Sequence, residues 1–170
     1  DELVFDYNKF FHLIRYFNPD FTHSLMIGGA AYSFPRDYLT AYPGATIDVV
    51  EIDPRMTEIA KELFRLQDDP RLSIFHEDAR VFINSAPAGQ YDAIMMDAFG
   101  TLFSIPHQLT TVEAARQLRR VLKNDGVLMI NAGAALTGPG SRFLQAEINT
   151  LKTVFEDVRV FKVRNEYGDE

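Results

Sequence analysis

The chain contains no cysteine and no tryptophan. Without cysteine there can be no disulfide, thiolate nucleophile or thiolate zinc site, and a cytoplasmic setting is expected. No apolar run reaches the ~18 residues of a membrane-spanning helix, and no secretory leader is visible. Lysine and arginine never run beyond two in a row (Arg119-Arg120), and the net charge is −7. A nucleic-acid binder needs a basic face, so neither nucleic acid nor membrane is expected as a partner. The four histidines, His12, His23, His76 and His107, lack metal-ligand spacing, and no metal is expected. A Gly-x-Ser-x-Gly elbow and a phosphate-binding lysine loop are missing too.

What remains is a chain of 170 residues, 46% hydrophobic, with fourteen Phe and seven Tyr. That length suits one domain with a real core, so residues 1–170 read as one unit with residues 1–20 as a helical segment packed on it. The chain opens on Asp1, which suggests a trimmed product.

Apolar runs alternate with amphipathic segments. Residues 7–17 place Phe10, Leu13, Ile14 and Phe17 on one helical face. Strands are expected at Leu25–Ile27, in "ATIDVVEID", in "RLSIFHEDA", in "YDAIMMDAFG", in "GVLMINA" and in "VRVFKV". Asp53 and Pro54 open a helix with Met56, Ile59, Ala60 and Leu63 on one stripe. Thr110 with Glu113 makes a capping box for a helix ending near Gly126. Leu144, Ile148, Leu151 and Phe155 form the stripe of a last helix. Strand–helix alternation from residue 25 to residue 163 predicts an α/β doubly wound, mostly parallel sheet.

In such sheets ligands lie beyond the carboxyl ends of the strands. Those ends carry Gly28-Gly29, Glu51-Ile52-Asp53, Asp78-Ala79, Asp97-Ala98 and Asn131. Glycine there permits close backbone approach to a ligand, or simply a tight turn. Glu51 lies 23 residues after Gly28, a spacing that suits a carboxylate accepting from ribose hydroxyls. A dinucleotide fingerprint would need glycine at 28, 30 and 33, but Ala30 and Ser33 stand at two of them. A nucleoside without a pyrophosphate fits better. Asp78 can accept from an adenine amino group, cap the next helix, or do both. Asp97 can take a proton from an amine, or serve as a turn residue.

The set "LMIGGAAYSFPRDYL", "IDVVEIDPRMTEIAKELF", "DDPRLSIFHEDARVFI", "YDAIMMDAFG" and "VLKNDGVLMIN" resembles the spermidine synthase family. The resemblance covers residues 1 to about 163. It implies the class I S-adenosylmethionine-dependent methyltransferase fold, which is Rossmann-like. The implied cofactor is S-adenosylmethionine or its decarboxylated form, with S-adenosylhomocysteine or methylthioadenosine as product. Glu51 would bind ribose, Asp78 and Ala79 adenine, and Gly28 and Gly29 would face the sulfur. Ile52, Asp53 and Ala98 complete the expected cofactor contacts. Asp97 is expected both to touch the cofactor and to act as the catalytic base, and the loop after it resembles the family's gatekeeping loop. The acceptor would be a small molecule, an amine by resemblance, and a homodimer is the candidate assembly.

There are departures. Ala31 stands where the family usually has an amine-binding Asp, and Asp97 lacks a second acid after it. Tyr7-Asn8-Lys9 stands where the family has Tyr-His-Glu. Amine-binding groups are thus lost while nucleoside-binding groups remain. Aminopropyl transfer, methyl transfer to an unknown acceptor, and non-catalytic nucleoside binding all stay open. Family members carry a small β domain before the equivalent of residue 1, and the seventh strand is expected to be absent or rudimentary.

Overall fold

The structure, a computed structural model, describes residues 3–100 and 105–163. It forms a five-stranded parallel sheet in the order β3-β2-β1-β4-β5. The strands are β1 His23–Ile27, β2 Thr46–Val50, β3 Leu72–Phe75, β4 Tyr91–Met96 and β5 Leu122–Ile130. The helices are α1 Asp6–Phe10, α2 Ile14–Phe17, α3 Ser33–Ala41, α4 Pro54–Leu63, α5 Ala79–Ser85, α6 Val112–Val121 and α7 Arg142–Lys152. The expected doubly wound, class I methyltransferase architecture is present. Strand order reverses between β1 and β4, which sets the topological switch point there.

Both faces of the sheet are buried, so its strands read as continuous apolar runs. All six residues of β4 are buried. One core gathers Met26, Val49 and Met95 against Phe34, Tyr38 and Ala60; the other gathers Leu25, Ile94 and Met96 against Ile83, Leu118 and Val121. Residues 6–17 pack onto the first face through Phe11 and Ile14. His12 fixes them to α3, with Nε2 at 2.7 Å from the Asp37 carboxylate and Nδ1 at 2.5 Å from the Tyr42 hydroxyl.

Several sequence expectations need correction. A 3-10 turn at Phe11–Leu13 interrupts the first helix and rotates the face, so Phe11 rather than Phe10 is buried. On the α4 stripe Ile59 and Leu63 are exposed, Leu63 at 71%, while Met56 is half-buried and Ala60 buried, and Thr57 joins Ala60 on the buried side. The cap of α6 is Thr111, whose Oγ1 accepts from Ala114 N at 3.1 Å. Thr110 instead donates to the His107 carbonyl.

α6 stops at Val121, well before Gly126, and runs straight into β5. Between the pairs Tyr91–Leu122 and Ala93–Val127 the register shifts, which makes residues 123–126 a bulge. Arg119 donates to the carbonyls of Lys123 and Asn124, each at 3.1 Å, and holds that bulge. Val158–Val163 is not a strand; Phe161 packs its ring near Phe10 and Phe17 instead. β5 is therefore an edge of the sheet among the described residues. The expectation about a seventh strand falls on residues 164–170, outside the described residues, as does part of the loop after Asp97.

Candidate active site

The strand ends form one row across the sheet. Gly28 N donates to Val50 O at 2.9 Å and Asp97 N to Ile27 O at 2.8 Å. Glu51 N donates to Phe75 O at 3.0 Å and Asn131 N to Met96 O at 2.9 Å. The ladder thus extends one residue past β1, β2, β4 and β5 and sets Gly28, Glu51, Asp97 and Asn131 along a common edge.

Gly28 has a reason of its own to be glycine. Its φ is +93°, and a Cβ there would lie 2.3 Å from the Asp97 carbonyl oxygen. The loop and the β4 end touch at the switch point, with no room for a side chain. Beyond it, Ala30 and Tyr32 take φ of 45° and 56°, costly for residues with side chains. Glu51 compensates: its Oε2 accepts from Gly29 N at 2.8 Å and Ala30 N at 3.0 Å. Its Oε1 accepts from Asp53 N at 3.0 Å. Tyr32, fully buried, closes the turn through its N–H to Gly29 O at 2.7 Å and pairs its hydroxyl with Thr57 at 2.7 Å. Thr57 in turn meets His76 Nε2 at 2.9 Å.

The expected acids therefore have structural duties. Glu51, 7% exposed, organises the glycine turn. Asp53 caps α4 by accepting from Arg55 N at 2.9 Å. Asp78 caps α5 through Oδ1, which accepts from Arg80 N at 2.7 Å and Val81 N at 3.3 Å. Its Oδ2 accepts from Gln108 Nε2 at 3.3 Å. Ile52, between Glu51 and Asp53, is 68% exposed, and an apolar side chain so placed offers a face to a flat base. Ala79 and Ala98 lie beside Asp78 and Asp97, half-buried against the second core.

Asp97 is the group whose acid–base behaviour changes most usefully. Burial pushes its carboxyl above the usual range, and hydrogen bonds from Asn131 and Tyr7 pull partly back. Asn131 Nδ2 donates to Asp97 Oδ1 at 2.9 Å. The Tyr7 phenol is pushed up to about 12, first by burial and then by the Asp97 charge, so near neutral pH it donates. Asn8 hydrogen-bonds Tyr7, and its Oδ1 is buried without a hydrogen-bond partner among the described residues. Tyr7, Asn8, Asn131 and Gln108 were not assigned site roles from the sequence. Asn131 was legible as a strand end and Tyr7 through the family's tyrosine; nothing local marks Gln108.

A carboxylate at the ends of β2 and β3, an exposed isoleucine and a close-approach glycine together suit a purine nucleoside. Among the described residues no cluster of three His, Asp or Glu could hold a metal, and no helix is long and apolar enough to cross a membrane. A surface cavity of about 270 Å³ lies at the opposite end of the strands, lined by Arg36, Thr40 and Arg71 among others. The Arg71 guanidinium there is committed to Asp69 and the Leu39 carbonyl.

The fold defines the class: a class I methyltransferase-type sheet with acids at its switch-point edge. A profile of the spermine/spermidine synthase domain matches residues 7–164. The chain belongs to the spermine/spermidine synthase family. It is 34% identical over 155 residues to a polyamine aminopropyltransferase of Vibrio vulnificus, covering 90% of this chain and 50% of that relative. The structure of a probable spermidine synthase from Corynebacterium glutamicum superposes with TM-score 0.71 at 28% identity, over 79% of this chain and 47% of that one. Human methyltransferase-like protein 13, solved in complex with SAH, gives TM-score 0.73 at 26% identity, over 85% and 68%. The chain spans about half the length of that Vibrio relative.

Proposed function

We propose that this chain binds a thioadenosine-type nucleoside, decarboxylated S-adenosylmethionine, and catalyses aminopropyl transfer to a small amine. The observation that carries this reading is the Asp97 carboxylate. It is half-buried beside the glycine turn, held by Tyr7 and Asn131, with its proton affinity raised. A protonated amine has no lone pair, so the nucleophile must first give up a proton. A carboxylate with a raised pKa is a better acceptor than an ordinary one. Tyr7 and Asn131 fix the direction in which it accepts.

The site residues have separable tasks. Glu51 faces the ribose while anchoring the glycine turn. Asp78 and Ala79 face the adenine edge, and Ile52 covers its face. Gly28, Gly29, Asp53 and Ala98 shape the walls. When bound, the nucleoside's sulfonium supplies the electrophilic carbon; the protein supplies position and a base. Residues 1–170 act as one unit in this reading, and the cysteine-free composition supports a cytoplasmic setting.

Ala31 and Ala98 motivate a second reading, methyl transfer on the same pocket, because neither offers a carboxylate to an ammonium. The human methyltransferase-like neighbour supports it as well. A product assay by mass spectrometry separates the two. The chain is supplied with decarboxylated or intact S-adenosylmethionine and a panel of mono-, di- and polyamines. The expected result is methylthioadenosine and an aminopropylated amine with the decarboxylated cofactor, abolished by Asp97→Asn. Turnover only with the intact cofactor favours methyl transfer, and turnover with neither leaves nucleoside binding alone.

A further inference from the structure

We propose that Gln108 is an internal competitor at the nucleoside site: its side-chain amide occupies Asp78 in the free protein, and a 6-aminopurine displaces it. This rests on the nucleoside reading above. The two oxygens of Asp78 do different work. Oδ1 takes two backbone N–H bonds at the start of α5 and cannot leave them without uncapping the helix. Among the described residues Oδ2 takes no backbone donor; its partner is Gln108 Nε2 at 3.3 Å.

A glutamine amide and the exocyclic group of adenine present the same thing, a planar NH2 donor. Gln108 is therefore a chemical stand-in for the adenine edge. Its backbone is pinned on both sides. Ile105 and Leu109 are buried in the second core, and the Gln108 carbonyl accepts from Arg80 Nη1 at 3.4 Å. Only the side chain is free to swing, so exchange costs one ordinary hydrogen bond and no refolding. A 6-oxo purine would set a carbonyl against the carboxylate and could not displace the amide.

The test is calorimetry of methylthioadenosine and methylthioinosine against the wild type and Gln108→Leu, a variant of similar size without the donor. Removing the internal competitor is expected to tighten methylthioadenosine about 3- to 10-fold, the worth of one ordinary hydrogen bond. Methylthioinosine is expected to stay weak with both proteins. In amide spectra, the Gln108 side-chain NH2 pair of the wild type is expected to move to a solvent-like position on saturation with methylthioadenosine. Unchanged or weaker binding by Gln108→Leu overturns the displacement while leaving the nucleoside reading intact. Methylthioinosine binding as tight as methylthioadenosine overturns the recognition by Asp78. Binding of methylthioadenosine to neither protein overturns both the inference and the nucleoside reading.

Discussion

At the scale of single residues, Asp97 is governed by opposing influences. Burial favours its neutral form, and the Tyr7 and Asn131 donors favour its charged form. A base must be ionised to act, so activity is expected to rise with pH through the raised Asp97 value. Tyr7→Phe removes a donor to the charged form, so the carboxyl rises further. The acid limb of kcat/KM against pH is then expected to move up by about one pH unit. An unmoved limb with a uniformly lower rate would assign Tyr7 to packing alone. Glu51, Asp78 and Asp97 were legible in the sequence because strand-end acids in a parallel α/β pattern point to the ligand edge. Their partners were not. Tyr7 and Asn131 reach Asp97 from distant parts of the chain, and the hold of Glu51 on Gly29 and Ala30 depends on where a turn places its N–H groups.

At the scale of elements, period and capping signals located every strand of the observed sheet. They failed where tertiary contact decides. Along α4 the larger stripe members Ile59 and Leu63 are exposed, and the small residues Thr57 and Ala60 are the buried ones. α6 ends early because Arg119 supplies donors to carbonyls that a longer helix would have satisfied itself. α7 has a different misfit: Glu147 is 5% exposed, and burial pushes it up to about 7. Its folded-state pKa lies above its unfolded one. The folded state therefore gains relative to the unfolded one below the ordinary carboxylate range, and that gain is lost as pH rises to about 7. Glu147→Gln is expected to flatten this dependence and to raise stability near pH 8 by about 2 kcal/mol. Urea unfolding at several pH values measures it, and an unchanged slope would place Glu147 in contact with water.

At the scale of the whole molecule, the sheet presents β5 as an edge among the described residues, with Val127–Ile130 only half-buried. An unpaired apolar edge invites pairing with another chain, while a net charge of −7 opposes it. Self-association of this chain is therefore expected to grow with salt, since screening removes the repulsion and not the edge. Val127 belongs to neither core, so Val127→Lys is expected to suppress that association with little loss of stability. Sedimentation at low and high salt measures both effects. Association unchanged in the variant would place the contact elsewhere.

The placement of Tyr7 has a kinetic consequence. Tyr7, which donates to the proposed base, lies ahead of β1 in the chain, while its partner lies at the end of β4. The segment has no sheet to dock on until β1, β2 and β4 have assembled, and such distant pairings form late. It is also the piece most easily released again, since short helices held by a few side chains open at lower free energy than a central sheet. Its opening would deprive Asp97 of a donor and let the carboxyl keep its proton. The proposed base would then be silenced in a molecule whose core, by any bulk measure, was still folded.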